Sequence, residues 1–336
     1  MNCRPLLTLC ALICFLTSSV IWAQPKSILP EDWQSGHFLD HPLIGQIFTA
    51  KGQSVPEGFM MRQARLTRFV LLGENHDNPD HHIIQANIID ALAGENHRPA
   101  VVFEMVPMRL ADQISNYDLV SDPRLDDFAK RLEREKRGWY SWNIYRPIAL
   151  AAAKNKMPMV AGNLDRATTR AISSNGLSEL NDSEQLAFGL KTPLSKVAEQ
   201  ELIEELRRSH CDLLPQKALP AMVNVQRAKD GSMADAMIRA SGKFGAVLIA
   251  GNGHIRKDRG VPFVLRQNKA RIQETHNLAI ALVEASPQQP MFADYDFVSK
   301  GGEALYDFII FTPKFDRTDH CAAMREQFKN MKKTKP

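Results

Sequence analysis

The sequence predicts an α/β fold: a mostly parallel sheet flanked by helices, with a small all-helical subdomain inserted. Three observations predict it. Short, uninterrupted apolar runs recur near Phe69, Val101, Met159, Val247, Ala279 and Ile309, as expected for strands buried on both faces. Stretches with helical spacing separate most of them, the alternation that builds parallel sheets. Between Ala167 and Ala240 strand alternation is missing.

The chain opens with MNCRPLLTLCALICFLTSSVIWAQ. Arg4 gives a short positive start, Leu6 to Phe15 an apolar stretch, and Ile21, Trp22 and Ala23 a plausible end. This pattern reads as a secretory signal peptide over residues 1–23, cleaved after Ala23, and predicts an exported, periplasmic protein. An uncleaved membrane anchor is the alternative, because the apolar stretch nearly reaches spanning length. Cys10 and Cys14 lack the small preceding residue of a lipoprotein site. Once the leader is removed, Cys211 and Cys321 remain; they either pair or stand as independent thiols, and spacing alone does not decide between these.

Residues Gln24 to Pro42 read as an extended lead-in. The remainder divides into an α/β domain over 43–166 and 241–313, a helical block over 167–240, and a basic tail over 314–336. In the α/β domain, Ile44 to Phe48 forms an edge strand, and Ser54 with Pro56 opens a short helix. Phe69 to Leu72 is the main strand. Pro79, capped by Asn78, opens a helix with Ile84, Ile88, Ile89 and Leu92 on its packed face. Ala100 to Phe103 and Met157 to Ala161 are the next strands, with a charged, helical pattern from Arg109 to Lys136 between them. In the helical block, helices are expected at Ala167–Ser173, Asp182–Gly189, Pro193–His210 and Leu219–Ala240, the third opened by Thr192 and Pro193. Phe244 to Ala250, Leu278 to Val283 and Ala304 to Phe311 are the last strands.

The composition is that of an ordinary globular protein, with 44% hydrophobic and 24% charged residues. The net charge of +4 is small and owes much to Lys329 to Lys335, read as a solvated, frayed end. No other basic cluster interleaved with aromatics appears, so nucleic acid is not an expected partner.

The chemistry gathers where the strands end. After Phe69 to Leu72 come Gly73, Glu74, Asn75 and His76, followed by Asp77, Asp80, His81 and His82. After Phe244 to Ala250 come Gly251, Asn252, Gly253 and His254. Each is a G-x-x-H loop at the carboxyl end of a buried strand, where open parallel sheets bind ligands. Glu104 ends a third strand. If these strands are neighbours, Glu74, His76, Glu104 and His254 face one crevice. Imidazole and carboxylate suit a divalent metal or an acid/base pair. Gly138 to Tyr145 is an aromatic cluster, either core packing or a platform for a flat ligand. Met222, Met233 and Met237 in the helical block read as core. A Gly-rich phosphate loop, an H-E-x-x-H helix and a G-x-S-x-G elbow are all missing.

LLGENHDNPDHH, the FEM after the second buried strand, YRPI, the HC that ends a helix and GNGHIRKDRGVP together resemble the ChaN-like haem-binding family. That family is grouped with the Tiki proteases and erythromycin esterases. The resemblance runs from about Gly45 to Val283. It implies an exported haem-binding protein linked to iron and haem uptake, with haem held noncovalently, a homodimer stacking its haems, and association with outer-membrane uptake machinery. It carries Glu74, His76, Glu104 and His254 over as the shared crevice. Tyr145 and His210 are the expected axial donors, tyrosine phenolate being a known haem ligand; His81 and His82 are alternatives. Arg256, Lys257 or Arg259 is expected at the propionates, with Trp139, Trp142 and the methionines of the helical block as the wall. The other reading is a metal-dependent hydrolase, a Tiki-like peptidase or esterase, with the same four crevice residues as metal ligands and catalytic groups.

Overall fold

In chain order the elements are β1 (Ile47–Thr49), α1 (Glu57–Leu66), β2 (Phe69–Leu72), α2 (Pro79–Leu92), β3 (Ala100–Pro107), α3 (Ala111–Ser115), α4 (Asp126–Arg131), α5 (Arg134–Arg137), α6 (Trp142–Lys154) and β4 (Met159–Asn163). There follow α7 (Arg166–Asn175), α8 (Asp182–Ala187), α9 (Lys196–Ser209), α10 (Leu219–Ala240), β5 (Ala246–Ile249), α11 (Val261–Gln267), β6 (Asn277–Glu284), β7 (Phe308–Thr312) and α12 (His320–Lys333). This computed structural model describes residues 26–95, 97–268 and 276–333. The leader expected at residues 1–23 lies outside the described residues. No helix among the described residues is long and apolar enough to cross a membrane.

The seven strands form one sheet in the order β1-β7-β6-β2-β5-β3-β4. Every pairing is parallel except the edge pair of β1 with β7. The expected α/β fold is therefore present, with the edge strand where Ile44 to Phe48 suggested it. β2 is central and buried along its length. Its side chains alternate between two cores: Val70 and Leu72 join the one beneath α1, α2 and α6, while Phe69 and Leu71 join the one beneath α10 and α11. Burying one such side chain stabilises the fold by about 1.5–3 kcal/mol.

At α2 the local chemistry matches the sequence. Pro79 stands in the first turn, and the Asn78 side chain accepts the N–H groups of Asp80 and His81. α10 belongs to two layers. Val223 packs with Leu202 and Leu206 in the helical block, whereas Met233 and Met237 lie against the sheet.

Four local readings change. β3 extends to Pro107, so Glu104 lies inside the strand, in a stretch where the register with β4 shifts. α9 begins at Lys196 rather than at Pro193, because the Ser195 hydroxyl accepts the Ala198 N–H and caps it. The charged stretch after Arg109 breaks into α3, α4 and α5: Leu125 takes a left-handed φ of 56°, and the Asp122 carboxylate accepts from the N–H groups of Asp126 and Phe128. Within the described residues the basic tail is helical as far as Lys333, since α12 forms within it, and a Cys211–Cys321 disulfide ties it to the end of α9.

Candidate functional site

β2 and β5 are neighbours, with Leu72 opposite Ile249. The two G-x-x-H loops therefore leave the sheet side by side. β3 lies on the far side of β5 and brings Glu104 to the same end.

The first group centres on Glu74, 2% exposed. One of its oxygens, Oε1, accepts from His76 Nδ1 at 2.7 Å and from the Tyr145 hydroxyl at 2.8 Å. His82 Nδ1 stands 3.2 Å from the other oxygen. Burial alone would raise the Glu74 carboxyl, but the His82 charge and the His76 hydrogen bond hold it well below the usual range. Burial would likewise lower His76, yet Glu74 and the nearby Glu104 carboxylate raise its imidazole to about 9.

The second group centres on His254. Its Nδ1 lies 2.5 Å from Asp230 and its Nε2 lies 3.2 Å from Glu104. Gln226 places its side-chain amide 3.1 Å from Nδ1. Against burial, the charges of Glu104 and Asp230 raise His254 to about 10. Glu104, opposed by burial but favoured by His254 and by the Gly251 N–H at 2.8 Å, falls to about 2. Asp230 is pushed up, burial being the largest cause.

Gly251 lies between the groups. A Cβ there would stand 3.2 Å from His76 Nε2 and 3.8 Å from Glu104 Oε2. The bare backbone lets the two groups approach. Glu74, His76, Glu104 and His254 thus converge, through hydrogen bonds and charge. Among the described residues no group of three or more His, Cys, Asp or Glu side chains is arranged to hold a metal ion. In this arrangement the four donors are directed at one another.

The expected haem contacts have other partners. Tyr145 lies inside α6, is 2% exposed, and directs its hydroxyl at Glu74. His210 caps α9, its Nδ1–H donating to the Leu206 carbonyl at 2.8 Å, beside the disulfide. Arg256 pairs with Asp258 at 2.7 Å and Glu201 at 2.9 Å, Arg259 with Glu205, and Lys257 with Asp307. His81 is fully buried; its Nδ1 accepts the Asn75 N–H at 2.8 Å and its Nε2 bonds Thr312. Burial lowers it to about 3, so this imidazole is neutral. Asp80 accepts from the N–H groups of Gln34 and Ser35. Much of the polar loop therefore anchors the lead-in and the sheet rather than a ligand.

Sequence reasoning missed Asp230 and Gln226, both on α10. The available signal was a carboxylate followed by Gly231 in the middle of a long helix otherwise rich in small and apolar residues.

His76 keeps 31% of its side chain exposed. Trp139 meets its ring edge-on at a centroid distance of 5.3 Å, and Tyr140 stacks on it at 6.3 Å. Trp139, Tyr140 and Trp142 line a cavity of about 770 Å³ together with Lys130, Glu133 and Lys136. The aromatic cluster thus does two things: Trp139 and Trp142 pack against the core and, with Tyr140, line this cavity. A second cavity of about 400 Å³ shares Glu133, Lys136 and Trp139 and reaches Glu104.

The family described as haem-binding uptake, Tiki superfamily, ChaN matches residues 60–265. ChaN of Campylobacter jejuni, in a structure of cofacial haem binding, has a similar fold: the TM-score is 0.58 at 20% identity, over 79% of this chain and 95% of that one. The erythromycin esterase EreC aligns over 82% of this chain and 99% of its own, at 14% identity and a TM-score of 0.39, too low to carry an argument. No curated protein matches the sequence.

Proposed function

This chain belongs to the ChaN haem-binding uptake family of the Tiki superfamily, and we propose that it binds haem noncovalently beside His76, against the wall of Trp139, Tyr140 and Trp142. The observation that carries this reading is the exposed side of His76, framed by two aromatic rings next to a cavity of about 770 Å³. Haem needs an apolar wall, an axial donor and room for a flat macrocycle, and these residues fit it. Bound haem supplies an iron centre that takes one ligand from the protein. Tyr140, 47% exposed and lining the cavity, is the donor we assign. Burial and the Asp77 charge push its phenol up, so Tyr140 would hold the iron through its hydroxyl oxygen.

In the wider reading the protein is exported through the leader at residues 1–23. It handles haem for iron uptake in the periplasm, in association with outer-membrane uptake machinery. Cofacial haem in the Campylobacter protein supports a homodimer that stacks two haems.

A hydrolytic reading draws on the Glu74–His76 pair, which has the form of an acid-oriented base. In this arrangement the neighbouring carboxylates raise the two imidazoles to about 9 and about 10. Binding is the reading that the family match and the aromatic-lined cavity favour. Titrating ferric haem into the purified protein tests it. A saturable Soret shift, altered in Tyr140→Phe, is expected. No shift, together with metal-dependent peptide or ester cleavage abolished by His76→Ala, would replace it with the hydrolase.

A further inference from the structure

We infer that the cavity beside Glu104 receives the propionate carboxylates of haem, with Arg166 and Lys229 as their direct partners; this rests on the haem reading above. Five cationic side chains line it, Arg109, Lys136, Arg137, Arg166 and Lys229, against two carboxylates, Glu104 and Glu133. Two of the five are engaged: Arg109 pairs with Glu133 at 2.5 Å, and Arg137 donates to the carbonyls of Met105 and Leu132. Glu104 is held by His254 and by the Gly251 N–H. Among the described residues Lys136, Arg166 and Lys229 form no ion pair. The wall therefore holds an excess of cationic donors.

Charge alone would suit any small anion. The choice of ligand comes from what adjoins the cavity. Trp139 belongs to both walls, so the cationic space opens beside an aromatic one. A flat apolar body with carboxylates along one edge spans the two, and haem has that shape. The cations that the sequence suggested for this task, Arg256, Lys257 and Arg259, are neutralised by Glu201, Glu205, Asp258 and Asp307.

The test titrates ferric haem and haem dimethyl ester, whose propionates are blocked, into the full chain and into Arg166→Gln, Lys229→Gln and Lys136→Gln. Loss of one charge-assisted hydrogen bond weakens binding by about tenfold. Arg166→Gln and Lys229→Gln should each weaken haem by that factor and leave ester binding unchanged, and the unaltered chain should prefer haem to its ester. Far-UV circular dichroism confirms that each variant is folded, and Lys136→Gln, placed between the two cavities, gives a third reading. Equal affinity for haem and its ester, or haem affinity unchanged in Arg166→Gln and Lys229→Gln, overturns the inference while leaving haem binding intact. No Soret change with either ligand overturns the haem reading and this inference with it.

Discussion

The hydroxyl of Tyr145 donates to Oε1 of Glu74 at 2.8 Å, across 71 positions of sequence. The same oxygen accepts from His76, so a residue in the first turn of α6 helps to fix the imidazole at the mouth of the crevice. Tyr145 acts as a brace, and the two tyrosines of this region should separate cleanly under mutation.

Tyr145→Phe removes a donor from a buried carboxylate. The expected cost is about 1–3 kcal/mol of stability, read by chemical denaturation, with the Soret shift retained. Tyr140→Phe should do the reverse, changing the haem spectrum with little effect on stability. If the Tyr145 variant alone loses haem, the roles assigned to the two phenols are exchanged.

Stability should depend on pH through the two imidazoles and Glu104. His76 and His254 are raised from 6.5 to about 9 and about 10. Their contribution is complete below 6.5 and is lost as pH rises through the folded values. Glu104, lowered from 4.5 to about 2, contributes above 4.5, and this is lost as pH falls through about 2. Asp230, raised by burial, opposes the latter effect. Thermal midpoints should therefore be highest between about pH 4.5 and 6.5 and decline toward pH 10. His254→Gln should flatten the alkaline decline; a flat profile from pH 6.5 to 10 in the unaltered chain would count against the assigned charges.

Gly231→Ala tests packing against helix propensity. In an exposed helix interior, alanine is better than glycine by about 1 kcal/mol. Here a Cβ would stand 2.3 Å from Phe188 Cβ and 2.7 Å from its carbonyl oxygen. The clash should win, with a net loss of about 1–3 kcal/mol. A rise in the denaturation midpoint would show that α8 and α10 can separate freely.

Reducing the Cys211–Cys321 bond opens a link between residues 110 positions apart. For a loop of this size, chain entropy sets an upper bound of about 5 kcal/mol on the loss. Cys321→Ser should lower the denaturation midpoint, and reductant should then have no further effect. Equal midpoints for oxidised and reduced protein would contradict this.

The sheet was legible because buried strands such as Phe69 to Leu72 write themselves as apolar runs. The convergence of His76 and His254 was legible because each follows a glycine at the end of such a strand. Asp230 was not, since a carboxylate in mid-helix looks the same whether it faces water or an imidazole. The partners of Arg256 and Arg259 were hidden for a related reason: Glu201 and Glu205 lie on α9, and no local pattern joins two elements that meet only in the folded chain. Tyr145 was recognised as important, but its direction depends on how α6 packs, which periodicity leaves open. The disulfide needed three-dimensional proximity, and two cysteine positions do not supply it.

The central place of β2 has a consequence for the order in which the chain is made. Phe69 pairs with Ala246 on one side and with Asn277 on the other. While the ribosome is still making the helical block, β2 has neither neighbour, and both of its edges are bare. A fragment ending at Ala240 would carry Glu74, His76, Glu104 and Tyr145, and its β3 and β4 could pair, yet β2 would have no strand linking it to them. The crevice is thus among the last parts of the protein to take shape, although three of its four residues, Glu74, His76 and Glu104, are made before the helical block.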